Sequence, residues 1–253
     1  AEHPDALDRP VARPIIVAGL PRTGTTHLHN LMSADPALRS LPYWEAVEPL
    51  PAPGEPTSGE ASIEPRVQRC AAGLDMSQLW IPEMQRMHEM TAWHTHEEIH
   101  LLGLDCSTLL FDTLAPMPTW RAHYRAADQT PHYEYLRRVL QVLQHARGGD
   151  RWVLKSPQHL EQLGPLSTVF PDATFVLTHR DPGDVTVSMI TMLAYAARMH
   201  LAPVDPLAIS DYWQELLADL LTSCVRDRDL LPPARSVDVR FEALHPADAA
   251  LAL

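Results

Sequence analysis

The sequence predicts an α/β protein with a three-layer α/β/α architecture, in which a central parallel sheet of about four to five strands lies between layers of helices. Apolar runs at residues 15–19, 151–155, 174–178 and 236–241 have the composition of strands, and helical patterns follow the first three. Strands that alternate with helices form parallel sheets covered on both faces. Residues 65–147 are mostly helical and form a large insertion between the first two strands.

The first apolar run, residues 15–19, leads through a glycine-bearing turn into a helical pattern. We therefore expect a strand, a loop and a helix in succession. The backbone N–H groups of Gly24, Thr25 and Thr26 would lie at the N-terminus of that helix, where free donors and the positive end of the helix dipole attract phosphate or sulfate. Arg22 lies inside the loop, and its fixed charge could reach the same anion.

The nearest general motif is the nucleotide-binding P-loop, in which a lysine follows the second glycine and reaches the β and γ phosphates. Gly19 and Gly24 have the P-loop spacing, but Thr25 stands in the place of the lysine. A nucleoside triphosphatase would therefore lack its main catalytic cation. Residues 21–26 have their cation, Arg22, inside the loop, and they resemble the 5′-phosphosulfate loop of sulfotransferases that use 3′-phosphoadenylyl sulfate (PAPS). This resemblance implies a P-loop-like fold. It also implies contacts with the donor from Arg22, Thr23, Gly24, Thr25 and Thr26.

A passage rich in Pro, Gly and Ser at residues 49–62 predicts a long loop, and the helical insertion at residues 65–147 follows it. We expect the insertion to cover the sheet and to shape a pocket for the acceptor. Its methionines and tryptophans are typical of ordinary core packing rather than of substrate lining.

Positively charged residues follow the ends of three predicted strands. Besides Arg22, they are Lys155, which precedes Ser156, and Arg180, which follows His179. In open parallel sheets, ligands gather at the carboxyl ends of the strands. We therefore expect the three strand ends to converge on one crevice.

Residues 180–188, Arg-Asp-Pro-Gly-Asp-Val-Thr-Val-Ser, form the most specific segment of the chain. Asp181 suits the N-cap of a helix and Pro182 its first turn, so a well-capped helix explains both. That explanation requires neither Arg180 at the end of a strand nor Ser188 further along the helix. The segment resembles the 3′-phosphate motif of PAPS-dependent sulfotransferases, and the resemblance implies that Arg180 and Ser188 hold the 3′-phosphate.

The resemblance extends over residues 14–245. Lys155 matches the lysine that ends the intermediate strand of the family, and residues 239–242 resemble a later strand. The residues in these motifs are similar to those of bacterial, in particular actinobacterial, members of the family. The resemblance implies one sulfotransferase domain over residues 1–253, which contains a phosphosulfate-loop unit, the helical insertion and a 3′-phosphate-binding half at residues 14–48, 65–147 and 151–245.

Three features depart from the family pattern. Arg22 replaces the loop lysine of the cytosolic animal sulfotransferases. His27 stands where those enzymes place a tryptophan against the adenine, so an imidazole would have to stack on the base. The chain ends at Leu253 without the Gly-rich basic segment that follows in the family, and we expect that segment to be absent.

Composition restricts the partners and the compartment. Twenty Lys and Arg against 32 Asp and Glu give a net charge of −12, which repels nucleic acid and anionic membranes on average. No stretch approaches the roughly 18 apolar residues of a membrane span, and the first residues lack a signal-peptide pattern. The three cysteines are far apart and indicate neither a disulfide framework nor a zinc site. We expect a cytoplasmic protein without a nucleic-acid partner or a transmembrane segment.

The 14 histidines raise the question of a metal site. His94, His96 and His100 could line one helix face together with Glu97. Their spacing lacks the pair of histidines flanking a glutamate that is typical of zinc proteases. We therefore expect no metal.

These features predict a sulfotransferase that moves a sulfuryl group from PAPS to a hydroxyl of a small-molecule, lipid or carbohydrate acceptor and releases PAP. Such transfer depends mostly on positioning and on stabilising charge. Arg22 would hold the 5′-phosphosulfate, and Lys155 would assist at the bridging oxygen or the sulfuryl group. Two rival functions are a P-loop-type nucleotide kinase or NTPase, which the missing lysine disfavours, and a non-catalytic PAP-binding protein, which the two intact motifs disfavour.

The general base that takes the proton of the acceptor hydroxyl has three candidates: Glu45, His159 and one of His94 or His96. Some branches of the family use a histidine two residues after the strand-end lysine, but Pro157 occupies that position here. Other branches use a glutamate shortly after the first helix. Glu45 matches that description and has apolar neighbours. We choose Glu45 as the base, with His159 second.

Overall fold

The structure of the chain is a computed structural model that describes residues 4–244. Its strands are β1 (Ile15–Gly19), β2 (Leu41–Pro42), β3 (Thr95–His96), β4 (Val153–Lys155), β5 (Thr174–His179) and β6 (Ser236–Arg240). The main sheet has the order β4-β1-β5-β6 with every neighbouring pair parallel, while β2 and β3 form a small antiparallel pair. The predicted parallel sheet is confirmed, with four strands in the described part of the chain.

The helices of the described residues are α1 (Thr25–Ser33), α2 (Tyr43–Val47), α3 (Glu60–Trp80), α4 (Met84–Met87), α5 (Ile99–Leu104), α6 (Leu110–Leu114), α7 (Pro118–Ala126), α8 (Thr130–Arg147), α9 (Leu163–Val169), α10 (Pro182–Ala196) and α11 (Pro206–Asp227). Helices α3 to α8 lie between β1 and β4, so the large helical insertion is confirmed. Residue 245, the predicted end of the second half, lies outside the described residues. None of the described helices is both long and apolar enough to cross a membrane.

Strand β1 lies at the centre of the packing because its alternate side chains enter two different cores. Ile16 and Ala18 belong to the larger core, together with apolar residues of α8, α9 and α11. Val17 points to the other face and packs with Val153, Val176 and part of α1. Side chains of a strand alternate between the two faces of a sheet. The helices on both faces therefore give the predicted three-layer architecture.

The carboxyl end of β1 passes unusually close to its neighbours. A methyl group at Gly19 would lie 1.9 Å from the Thr178 Oγ1 atom of β5 and 2.9 Å from the Thr23 Oγ1 atom of the following loop. Both distances are shorter than a van der Waals contact. A glycine is therefore required where the strand turns into the loop.

We expect Gly19→Ala to lower the free energy of unfolding by about 1–3 kcal/mol, because the extra methyl group must displace the strand or the threonine. The matched control is Gly73→Ala in α3, where the added methyl group meets no atom within 4 Å. Alanine favours a helix over glycine by about 0.5–1 kcal/mol, so the control should be slightly stabilised. Urea unfolding followed by circular dichroism measures both variants. Equal stability of Gly19→Ala and the parent protein would contradict the close approach.

Candidate active site

The loop between β1 and α1, residues 20–24, is braced from inside by Thr23. The Thr23 hydroxyl donates to the Leu20 carbonyl over 2.6 Å and lies 2.7 Å from the Thr178 hydroxyl. A threonine has a single hydroxyl hydrogen, so Thr178 is the donor in the second bond. The Thr23 side chain is buried and fully used within the protein. Only the backbone N–H group of Thr23 therefore remains for the predicted contact with PAPS.

Arg22 connects the loop to two distant segments. Its backbone φ of 67° is rare for a residue other than glycine, and such conformations cluster at functional sites. The Nε atom donates to the Ser188 Oγ atom over 3.0 Å, and Nη1 donates to the Met87 carbonyl over 2.9 Å. Both partners are neutral. Burial, and after it the charge of Arg180, lower the pKa of Arg22, and within residues 4–244 the arginine is paired with no carboxylate.

A pocket of about 210 Å³ lies at the N-terminus of α1 and is lined by Arg22, Gly24, Thr25, Thr26, Arg180 and Phe241. We call it the anion pocket. Arg180 donates from Nη1 to the Arg22 carbonyl over 2.9 Å, and its guanidinium carbon lies 4.2 Å from the centre of the Phe241 ring. A helix N-terminus beside two arginines attracts an anion. The structure thus brings both predicted phosphate motifs to one place, with Ser188 next to them.

Lys155, the last residue of β4, is only 2% exposed. Its ammonium group contacts the Glu97 carboxylate and lies 3.4 Å from the Thr26 Oγ1 atom, at the edge of the anion pocket. The lysine therefore belongs to the same site as Arg22 and Arg180. It is held by an ion pair and is not a solvated strand end.

Glu98 fixes the segment that carries Glu97. Its carboxylate accepts a hydrogen bond from the backbone N–H of Lys155 over 3.0 Å and a second bond from the His159 Nε2 atom. Burial raises the pKa of Glu98, but His159 and the N–H bonds outweigh that effect, and the net shift is downward. Glu98 is therefore an ionised clamp, and it places its neighbour Glu97 beside the Lys155 ammonium group.

A second, larger cavity of about 350 Å³ is lined by Pro21 of the loop, by Glu97 and by side chains from α4, α5, α6, α10 and α11. We call it the apolar cavity. Most of its lining side chains are apolar: Met84, Ile99, Leu109, Leu110, Leu114, Met189, Met192, Leu193, Ala196, Met199 and Trp213. The methionines of the insertion are predicted to pack in the core, but Met84 lines this cavity. The Glu97–Lys155–Thr26 contacts link the apolar cavity to the anion pocket.

Four histidines also line the apolar cavity: the exposed His200, and His88, His96 and His100. The His96 Nε2 atom lies 2.9 Å from the His100 Nδ1 atom. Burial, followed by nearby positive groups such as Lys155, lowers the pKa of His88 to about 4, and burial also lowers the pKa of His96 and His100. These imidazoles are therefore uncharged near neutral pH. Within residues 4–244, no group of three or more His, Cys, Asp or Glu side chains is arranged to hold a metal ion.

The prediction of Glu45 as general base needs a correction. The side chain is 1% exposed, and its carboxylate accepts hydrogen bonds from Arg39 at 3.0 and 3.1 Å and from Arg147 at 2.8 Å. It lines neither the anion pocket nor the apolar cavity. Both carboxylate oxygens are occupied by guanidinium groups that hold α2 against α8. Glu45 is thus a buried carboxylate paired with two arginines and lies outside the lining of both sites.

The prediction of His159 as the second candidate for the base also needs a correction, because this side chain too is buried and paired. It is fully buried, with Nδ1 at 3.0 Å from the Tyr133 hydroxyl and Nε2 against Glu98. His94 packs against the rings of His88 and His96 and is not among the residues that line either site. His96 does line the apolar cavity. The sequence suggests Glu97 only as a possible metal ligand beside the histidines. No sequence pattern pairs it with Lys155.

His27, the expected partner of an adenine base, is exposed on α1 and is not among the residues lining the anion pocket. Phe241 lines that pocket instead and packs against Arg180. The sequence placed Phe241 in a strand that resembles one of the family's strands. Its contact with Arg180, across about 60 residues, could not be read from the pattern.

Comparison with known proteins agrees with this geometry. A family model described as the sulfotransferase family matches residues 14–249. The structure superposes on the crystal structure of sulfotransferase STF1 from Mycobacterium tuberculosis with a TM-score of 0.82 and 29% identity, over 99% of this chain and 68% of that one. Sulfotransferase STF9 from Mycobacterium avium gives a TM-score of 0.81 and 30% identity, over 99% of this chain and 65% of that one. No curated protein matches the sequence significantly.

The chain thus spans about two thirds of the length of both mycobacterial structures. Their source agrees with the actinobacterial type indicated by the motifs. The match over most of the chain, together with the fold, shows that this protein belongs to the sulfotransferase family of enzymes.

Proposed function

We propose that this enzyme transfers a sulfuryl group from PAPS to the hydroxyl group of an acceptor bound in the apolar cavity. The observation that supports this most strongly is the junction of two unlike sites. A cationic pocket adjoins a hydrocarbon-lined cavity, and the Glu97–Lys155–Thr26 contacts lie between them. Such a junction suits a charged donor on one side and an uncharged acceptor on the other.

When bound, PAPS supplies a sulfuryl group: the acceptor oxygen forms a bond to sulfur, the bond from sulfur to the 5′-phosphate oxygen breaks, and its electrons leave with PAP. The residues of the anion pocket fit the two ends of this donor. Arg22 and the N–H groups at the start of α1 would hold the 5′ end, and Arg180 with Ser188 would hold the 3′-phosphate. Arg22 and Arg180 lie side by side, and an anion would relieve their mutual repulsion.

Lys155 and Glu97 are proposed to act on the reacting groups. Lys155 would stabilise the negative charge that develops on the leaving oxygen, because its ammonium group lies against the edge of the anion pocket. Glu97 lines the apolar cavity and would accept the proton of the acceptor hydroxyl. Glu97 replaces Glu45 and His159 in this role since, unlike them, it faces a cavity large enough for an acceptor. His96 is the second candidate, because it lines the same cavity.

The two rival functions require other ligands. A nucleotide kinase or NTPase would bind ATP, and a non-catalytic PAP-binding protein would bind PAP without turnover. The anion pocket contains two arginines and no lysine from the loop, which favours PAPS over ATP. Only a ligand that binds the native state raises the unfolding temperature, so thermal unfolding with PAP, ATP and AMP separates the kinase from the PAP-binding functions.

We expect Arg180→Ala to weaken PAP binding by about 2 kcal/mol, roughly thirtyfold in Kd, because the 3′-phosphate loses a charge-assisted hydrogen bond. The affinity for 5′-AMP should change much less, since that ligand has no 3′-phosphate. Isothermal titration calorimetry measures both affinities. Arg138→Ala, an exposed arginine of α8 outside both sites, is the matched control and should leave both affinities unchanged. Equal losses for PAP and AMP would contradict the assignment of the 3′-phosphate to Arg180.

We expect Glu97→Gln to lower kcat by about 10²–10⁴-fold while PAP affinity stays near that of the parent, because the amide cannot accept the hydroxyl proton. Turnover is measured by mass spectrometry of the sulfate ester, and PAP binding by calorimetry. Glu89→Gln, an exposed residue of the same segment, is the matched control and should keep full activity.

Two further variants distinguish Glu97 from the residues it replaces. Glu45→Gln breaks a buried ion-pair network, so we expect a loss of unfolding free energy of about 3–5 kcal/mol with turnover retained at low temperature. His96→Asn tests the second candidate for the base. If Glu97→Gln stays active and His96→Asn loses kcat at unchanged PAP affinity, the role passes to His96.

A further inference from the structure

The two walls of the apolar cavity differ in chemistry. One wall comes from α10 and the turn that follows it, which contribute Met189, Met192, Ala196 and Met199. Polar groups come mainly from residues 96–100, where His96, Glu97 and His100 line the cavity, and also from His88, Thr113 and His200. Methionine side chains are flexible and polarisable, so they adapt to ligands of irregular or flat shape. Polar contacts are therefore concentrated at residues 96–100, and hydrocarbon contacts along α10.

The charges around the apolar cavity restrict what can bind there. Among the residues that line it in the described part of the chain there is no lysine or arginine, and the carboxylate is that of Glu97. The imidazoles of His88, His96 and His100 are uncharged near neutral pH, because burial lowers the pKa of each. An anionic acceptor would find no lysine or arginine in the lining, because the nearby Lys155 ammonium group is already paired with Glu97, and it would be repelled by the Glu97 carboxylate. Burying an unpaired charge is among the most costly events in a protein interior.

A carbohydrate acceptor is disfavoured for a second reason. Its many hydroxyl groups would lose water on entering the cavity, and the methionines and leucines that make up much of the lining offer them no hydrogen bonds. Each unpaired hydroxyl costs roughly 1–3 kcal/mol. A molecule with one hydroxyl group avoids this cost, because Glu97 and the neutral imidazoles can pair that group. The cavity volume of about 350 Å³ is in the range that holds drug-sized molecules.

We infer that the acceptor is an uncharged, hydrocarbon-rich alcohol or phenol, whose hydroxyl group contacts Glu97 while its hydrocarbon part packs on the methionines of α10. This inference rests on the proposed sulfuryl transfer and narrows its acceptor. It excludes carbohydrates and anionic molecules as acceptors, although these also contain hydroxyl groups.

The test compares three acceptors with the full chain and PAPS. They are 2-naphthol, the charged analogue 6-hydroxy-2-naphthoate, and glucose. We expect kcat/KM for 2-naphthol to exceed the values for the other two by about a hundredfold or more, in line with the cost of an unpaired charge or of several unpaired hydroxyl groups. Calorimetry with 2-naphthol alone, and with PAP present, measures binding independently of turnover.

Two variants locate the acceptor. Met192→Glu and Met199→Glu each place a carboxylate among the methionines of α10 and the turn after it. Each should weaken 2-naphthol binding about tenfold or more without changing PAP affinity. Met199 is 42% exposed, so its substitution keeps the test valid if Met192→Glu fails to fold. The matched control is Thr191→Glu, which adds the same charge on the exposed side of α10 and should leave 2-naphthol affinity unchanged.

The outcomes separate the two proposals. If PAP binds but 2-naphthol does not, or if glucose or the naphthoate is the better substrate, the inferred acceptor class is overturned and the proposed function stands. If PAP does not bind, the proposed function is overturned. Unchanged 2-naphthol affinity in both folded glutamate variants would overturn the assignment of the acceptor to the apolar cavity.

Discussion

The clamp that Glu98 forms on the end of β4 holds the segment with Glu97 beside Lys155, where the two parts of the candidate site meet. One carboxylate oxygen of Glu98 accepts the N–H of Lys155, and the other is held by His159, which is held in turn by Tyr133. These buried bonds fix the helical insertion against the sheet. Because Glu97 precedes Glu98 directly, its carboxylate is brought to the Lys155 ammonium group. A residue of the insertion and a strand end of the sheet thus form one ion pair.

Around this pair the protein separates charge from hydrocarbon. The anion pocket is lined by two arginines and a helix N-terminus, whereas the apolar cavity is lined mostly by methionines, leucines and other apolar side chains. Arg22 forms part of the boundary, and its unusual backbone conformation is maintained by Ser188, Met87 and the bonds of Thr23 inside the loop. Electrostatic interactions are stronger where water is excluded. A buried lysine next to an apolar cavity is therefore well placed to stabilise developing charge.

Local sequence patterns predicted the parts of the site that depend on local structure. Gly19, the loop cation and the capped start of α10 follow from the chemistry of a strand, a turn and a helix N-terminus. The convergence of Arg22, Lys155 and Arg180 followed from the parallel sheet alone. The surroundings of the candidate bases could not be predicted in this way, because they depend on contacts with distant residues. Glu45 meets Arg147 across 102 residues, and Glu97 meets Lys155 across 58. Neither contact leaves a periodic signal in the sequence.

A crystal structure of the enzyme with PAP and 2-naphthol bound together tests the central claim most directly, because it locates donor product and acceptor at once. We predict the 3′-phosphate against Arg180 and Ser188, and the naphthol oxygen within about 2.6–3.2 Å of the Glu97 carboxylate, with the rings in the apolar cavity. A naphthol oxygen out of reach of Glu97, or a 3′-phosphate bound away from Arg180, would contradict the account.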